Sequence, residues 1–162
     1  MVEELATDIP PFDRPPSGIM AADVFAVAEA MRQRQAIFRQ TGATHAAALA
    51  QPPVSPGSDV IVREDLGRHN ALDKVVGAAA QRGPLAPGLL LVLSGRLSLE
   101  MVAKAARAGI SSVAGVSAPS ALAVDLARKL RMFLAGFVRD RAMTVYSGAD
   151  ALKLSSAMVA EA

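Results

Sequence analysis

Leu89 to Val116 reads LLLVLSGRLSLEMVAKAARAGISSVAGV, and this stretch sets the architecture. Leu89 to Leu93 are five aliphatic residues in a row, with no polar face, as in a strand buried on both sides. The run stops at Ser94-Gly95-Arg96. Beyond it Leu99, Val102, Ala103 and Ala106 recur at three-to-four spacing, one stripe of an amphipathic helix, which Gly109 ends. Ser112 to Val116 is then a second strand. Parallel strands need a crossover of about this length, so the chain builds a sheet with parallel members and helices packed on it.

The alternation extends both ways. Downstream, Ser117-Ala118-Pro119-Ser120 leads into a helix with Leu122, Ala123, Leu126 and Leu130 facing inward. Met132 to Phe137 is the next strand, Val138 to Arg141 turns the chain, and Met143 to Tyr146 reads as an edge strand. A last helix is expected from Asp150 onward. Upstream, Ala21 to Gln40 is helical, with Val24, Val27, Ala28, Met31 and Phe38 as its apolar positions and Thr41-Gly42 as its end. Ala43 to Leu49 and Asp59 to Arg63, joined by a loop rich in Pro and Gly, read as a hairpin, although the alanine run alone also suits a helix. Residues 1–18 hold four prolines and no period, an irregular arm that precedes a single domain over 19–162.

Between Val62 and Gly77 the sequence VREDLGRHNALDKVVG runs a strand end into a helix with Ala71, Leu72, Val75, Val76 and Ala79 on its buried face. Arg68, His69, Asn70, Asp73 and Lys74 crowd the first turn. A helix start offers free N–H groups and partial positive charge, which suits an anion. The plainer reading makes Asn70 an N-cap, Asp73 part of a capping box and Arg68 a partner of Asp65. Right-handed crossovers bring strand C-termini to one edge, where ligands of open α/β sheets bind. Gly67 to Asn70, Ser94 to Arg96, Ser117 to Ser120 and Phe137 to Arg141 gather there on this reading. Together they suit a ligand carrying phosphates, although Ser94 and Ser120 also fit as simple caps.

Composition narrows the chemistry. A 52% hydrophobic share with only 4% aromatic residues and no Trp means that Ala, Val and Leu build the core. A net charge of +2 argues against general nucleic-acid binding and permits a local basic pocket. With no Cys, neither a disulfide, a thiolate metal site nor a cysteine nucleophile is available. No apolar run reaches membrane-spanning length, and Glu3, Glu4 and Asp8 do not suit a signal peptide, so a cytoplasmic protein is expected. His45 and His69 are the only histidines, and their surroundings suggest no metal site. His69, beside Arg68 and Asn70, is the better candidate for ligand contact; His45 reads as a half-buried, satisfied imidazole. No Walker loop or dinucleotide fingerprint is present.

REDLGRHNALDKVVG (Arg63–Gly77) resembles REDVGRHNALDKVIG, a signature of the FdhD family of formate dehydrogenase accessory proteins. The likeness continues in RQTGATHAAAL (Arg39–Leu49), SGRLSLEMVAKAARAGI (Ser94–Ile110), VSAPSALAVDLA (Val116–Ala127) and GFVRDRAMTVYSG (Gly136–Gly148). The resemblance implies a three-layer αβα sandwich with a mixed sheet, similar to the cytidine deaminases. Zinc deamination itself is excluded, because Ala46 and Ala47 follow His45 and the chain has no cysteine.

Members of this family pass sulfur from a cysteine desulfurase to the bis(molybdopterin guanine dinucleotide) form of the molybdenum cofactor, ahead of its insertion into formate dehydrogenase. They use a C-x-x-C loop and carry an N-terminal β-rich segment; this chain shows neither, and Pro10 to Gly18 stand where the loop would be. The resemblance places cofactor contacts on Phe137, Val138, Arg139, Asp140, Arg141 and Ala142, with guanine nucleotides such as GDP as mimics. The corner argument adds Gly67, Arg68, His69, Asn70 and Lys74, and the other loops add Ser94, Gly95, Arg96, Ser117 and Ser120. A homodimer is also implied. Two functions stay open: a module that binds or delivers the cofactor, and a sulfurtransferase component needing a cysteine-bearing partner chain. A guanine-nucleotide-binding paralogue without sulfur chemistry is a further alternative.

Overall fold

Six strands form the sheet on which the chain is built, and the computed structural model describes residues 8–153. The elements are β1 (Ile19–Met20), α1 (Ala21–Arg34), α2 (Ala36–Thr41), β2 (His45–Ala50), β3 (Ile61–Asp65), α3 (Arg68–Ala80), β4 (Leu90–Leu93), α4 (Leu99–Arg107), β5 (Ser112–Gly115), α5 (Ala121–Lys129), β6 (Phe133–Arg139), β7 (Ala142–Ser147) and β8 (Leu152–Lys153). Sheet order is β3-β2-β4-β5-β6-β7. β4, β5 and β6 run parallel, while β2 is antiparallel to both neighbours and β7 to β6. The sheet is therefore mixed, with β3 and β7 as its edges.

Side chains alternate across this sheet, and each face meets a different layer. Ala47, Leu49, Leu91, Leu93, Val113 and Leu134 pack with the buried stripes of α3, α4 and α5. Ala46, Ala48, Leu90, Val92, Ala114 and Ala135 pack with Val24, Val27 and Met31 of α1. Helix layer, sheet, helix layer is the expected three-layer sandwich. Small side chains on β2 let α1 and α3 approach a strand buried on both faces.

Local departures from the sequence reading each have a cause. The helix expected over Ala21–Gln40 breaks at Gln35, because β3 supplies a foreign cap. Glu64 accepts the N–H groups of Ile37 (2.9 Å) and Phe38 (2.8 Å), starting α2 as a separate turn. Gly42, at φ 64°, ends that turn as expected. Phe38 and Leu122, read as core positions, are exposed at 44% and 39%. Val138 and Arg139 belong to β6, so the turn shrinks to Asp140-Arg141. Where a last helix was expected, Ala149–Ala151 makes one 3₁₀ turn and Leu152–Lys153 pairs with β1; the remainder lies outside the described residues. The N-terminal arm docks irregularly: Ile9 is buried, and Phe12 donates its N–H to Leu130 O at 3.1 Å.

Candidate functional site

The β3–α3 corner closes on its own carboxylate. Asp65 accepts the Gly67 N–H at 2.9 Å and the Asn70 Nδ2 at 3.1 Å, and Lys74 Nζ lies 2.5 Å from its other oxygen. Lys74 also donates to Glu64 O. These partners, Lys74 first, hold the Asp65 carboxyl down at about 2. Asn70 is thus not an N-cap: Gly67 occupies that position, and no side chain caps the helix. Asp73 completes no capping box and instead pairs with Lys104 of α4 at 2.5 Å. Arg68 turns away from Asp65. Burial opposes the charge of Glu64, but the Ile37 and Phe38 N–H groups and the Thr44 hydroxyl outweigh it and hold the carboxyl low. Glu100, in the first turn of α4, is held low chiefly by its own backbone N–H.

The open space lies elsewhere, on the α1 face of the sheet. A cavity of about 1310 Å³ runs between α1, α2 and the strand ends at His45, Ser94, Val116 and Val138. α1 contributes Ala22, Phe25, Ala26 and Glu29, which share a stripe beside the one packed into the core. The cationic side chains in the lining are Arg32, Arg139, Arg141 and Lys153, against the carboxylates of Glu29 and Asp140. Arg32 is bound to Glu29 at 2.6 Å, so the remaining positive charge sits on Arg139, Arg141 and Lys153. Among the described residues none of these three forms an ion pair. A mostly apolar trough lined by these three cations suits a flat ring system attached to phosphates.

The arginine end is built by the β6–β7 hairpin. Asp140 and Arg141 both take positive φ (49° and 63°), the conformation of a two-residue turn that follows the strand twist. Four residues before Arg141, Phe137 also has positive φ, at 53°, inside a register shift between Gly136 and Arg139. A bulky residue at positive φ is uncommon, and such strain concentrates where a side chain must be aimed. Here the bulge turns Phe137 outward, with Arg139 Cζ 5.9 Å from its ring centroid. Gly136 permits it: a Cβ there would stand 2.8 Å from Pro119 Cδ and 3.1 Å from Ser117 O.

Of the residues read from sequence, Ser94, Val138, Arg139, Asp140 and Arg141 line the cavity, and Phe137 and Ala142 flank them in the hairpin. Gly67, Arg68, His69, Asn70, Lys74, Gly95, Arg96, Ser117 and Ser120 are outside the lining. Ser120 is the N-cap of α5, accepting the Ala123 N–H at 3.2 Å, and Ser117 O accepts the N–H of Phe137. Ser94 is no cap, since Ser98 holds that place on α4; its hydroxyl accepts the Ala46 N–H at 2.8 Å and ties β4 to β2. The lining residues missed include His45, Thr44, Val116, Lys153 and the α1 stripe. The stripe had a signal: Ala22, Phe25, Ala26 and Glu29 keep helical spacing next to the core face.

Comparison with known proteins adds the lineage. Residues 2–153 match the profile of the FdhD/NarQ family. "Sulfur carrier protein FdhD" of Nocardia farcinica is 48% identical over 149 residues, covering 90% of this chain and 52% of that protein. Its counterpart in Streptomyces coelicolor is 47% identical over 148 residues, covering 90% and 51%. This chain therefore spans about half the length of the curated relatives it matches. A crystal structure described as a formate dehydrogenase accessory protein, from Desulfotalea psychrophila, shares the fold with a TM-score of 0.79. It is 24% identical, with 93% of this chain and 62% of that one covered. Identity near one half along nine-tenths of the sequence, together with the profile match over residues 2–153, leaves one conclusion: the chain belongs to the FdhD/NarQ family.

Proposed function

We propose that this chain is a formate dehydrogenase accessory protein that holds the bis(molybdopterin guanine dinucleotide) molybdenum cofactor as cargo, for sulfuration or delivery. The observation that carries this reading is the cavity itself: a mostly apolar trough whose lining includes Arg139 and Arg141 of a strained hairpin. Guanidinium forks suit diphosphate oxygens, and the α1 wall suits flat rings. Glu29 and Asp140 leave the pocket less positive than its arginines alone suggest, so selectivity comes from where the forks point.

Sulfur carriage through a persulfide requires a thiolate, and these 162 residues contain no cysteine. The chain's own part on this reading is to bind and orient the cofactor. A second reading, favoured by the half-length match to the relatives, makes it a sulfurtransferase component completed by a cysteine-bearing chain that a cysteine desulfurase loads. Formate dehydrogenase is the client in both, and a two-fold pair of this chain in the cytoplasm is the assembly. Among the described residues no helix is long and apolar enough to cross a membrane.

Calorimetric titration with GDP, a mimic of half the cargo, tests the pocket. Charge-assisted contacts contribute about 1.5–3 kcal/mol each, so Arg139→Ala or Arg141→Ala should weaken GDP binding about tenfold or more. Equal wild-type affinity for guanosine and GDP, or no loss in either variant, would place the ligand elsewhere.

A further inference from the structure

The β3–α3 corner and the cavity have separate linings, yet one contact joins them. His45, the first residue of β2, lines the cavity. Its Nδ1 is 3.2 Å from the point where a Cβ on Gly95 would stand, and Arg68 Cβ and Cδ lie 3.4 and 3.5 Å from that point. Gly95 has no positive φ, so space and not backbone conformation demands glycine here. The imidazole therefore rests against the bare Gly95 backbone, with the Arg68 chain at the same spot. Arg68 Nε is buried without a hydrogen-bond partner among the described residues.

The uncommitted charged groups of the cavity that His45 lines are mostly donors. Ser94 accepts the Ala46 N–H and keeps its own hydroxyl proton to give. Arg139 and Arg141 stand in the same cavity. Asp65, opposite His45 in the β2–β3 register, is already engaged by Lys74, Gly67 and Asn70. A neutral imidazole always has one N–H to donate, and a protonated one has two. Of the two carboxylates in the lining, Glu29 is engaged by Arg32 and Gln33 and Asp140 remains, so Arg139, Arg141 and Lys153 leave a surplus of donors that calls for a ligand rich in acceptors.

From this the geometry points to His45 as a ligand-binding residue that donates to a phosphate oxygen in the cavity, with Gly95 and Arg68 as its positioning residues. The inference rests on the cavity reading above and adds the group through which the Arg63–Gly77 motif reaches the ligand. It reverses the roles that sequence gave the two histidines: His69 lies near Glu100, outside the lining.

The test titrates GDP and guanosine into the 162-residue chain and its His45→Ala, His45→Gln and Gly95→Ala variants. The wild type prefers GDP. His45→Ala loses about tenfold in GDP affinity, the size of one charge-assisted contact, and leaves guanosine binding unchanged. His45→Gln, which keeps an N–H donor, recovers part of the loss. Gly95→Ala weakens GDP binding as well, because its methyl group displaces the imidazole. In nuclear magnetic resonance spectra the His45 ring signals move with GDP and not with guanosine, a response that a purely structural histidine would not give. Thermal unfolding verifies each fold, and His45→Gln with the ring signals decides the matter if His45→Ala does not fold. If the wild type prefers GDP while His45→Ala and His45→Gln bind it as tightly, the role of His45 is overturned and the cavity reading stands. If the wild type does not distinguish GDP from guanosine, both fall together.

Discussion

Asp65 shows how much one carboxylate organises at the residue scale. Its folded value of about 2 lies below the roughly 3.9 of an unfolded aspartate, so the folded state binds its proton more weakly. The corner network therefore stabilises the fold fully above about pH 4 and loses that contribution as pH falls through about 2. Asp65→Asn should lower stability at neutral pH, and its difference from the wild type should shrink between about pH 4 and 2, measured by urea unfolding. A difference that does not vary with pH would mean the carboxylate charge is not what holds the corner. The motif around Asp65 was legible as special, and its internal bonds were not. Asp65, Asn70 and Lys74 bind one another, which local spacing cannot reveal, because a cap and a ligand contact use the same residue types. His45 was illegible for the opposite reason: an alanine-flanked histidine looks satisfied until α1 is seen to leave space beside it.

At the scale of elements, β4 and the β6 bulge make contrasting cases. Leu91 is fully buried in the middle of the sheet, so Leu91→Ala should cost about 2–5 kcal/mol while touching no ligand. Gly136→Ala forces a methyl group onto a proline ring and a carbonyl oxygen, neither of which can move freely. It should cost about 1–3 kcal/mol and, by disturbing the bulge that aims Arg139, weaken GDP binding too. Denaturant unfolding beside GDP titration separates the two variants: stability falls in both, affinity directly only in Gly136→Ala. β4 was readable because Leu89 to Leu93 present no polar face. The break at Gln35 was not, since its cause, Glu64, lies 27 residues from Ile37 in sequence. Nor was β8, whose two residues are extended only because β1 lies alongside.

At the scale of the molecule, the alternation of runs was enough for a sheet with parallel members and helices packed on it, and the resemblance implied the three-layer sandwich; the cavity depends on the α1 stripe beside the one packed on the sheet. Ile37, Phe38 and Leu66 are exposed apolar residues, at 49%, 44% and 76%, and on the pairing proposed above a second copy would cover them. Sedimentation at micromolar concentration should give twice the chain mass; a single-chain species would overturn the pairing. Incubation with a cysteine desulfurase and cysteine should leave the intact mass unchanged, because no thiol is present to hold sulfur. A stable sulfur adduct would refute that. The parallel pair of β1 and β8 has a bearing on all of this. β1 leads directly into α1, and Asp23 binds the Met20 and Val54 N–H groups at that joint. At the far end of the same wall Glu64 holds α2. The cavity wall is thus a panel fastened at both ends, and one fastening is the last described strand of the chain. A tag or a cut beside Lys153 would loosen that panel from its frame, and on the proposed reading GDP binding should weaken before the sheet unfolds.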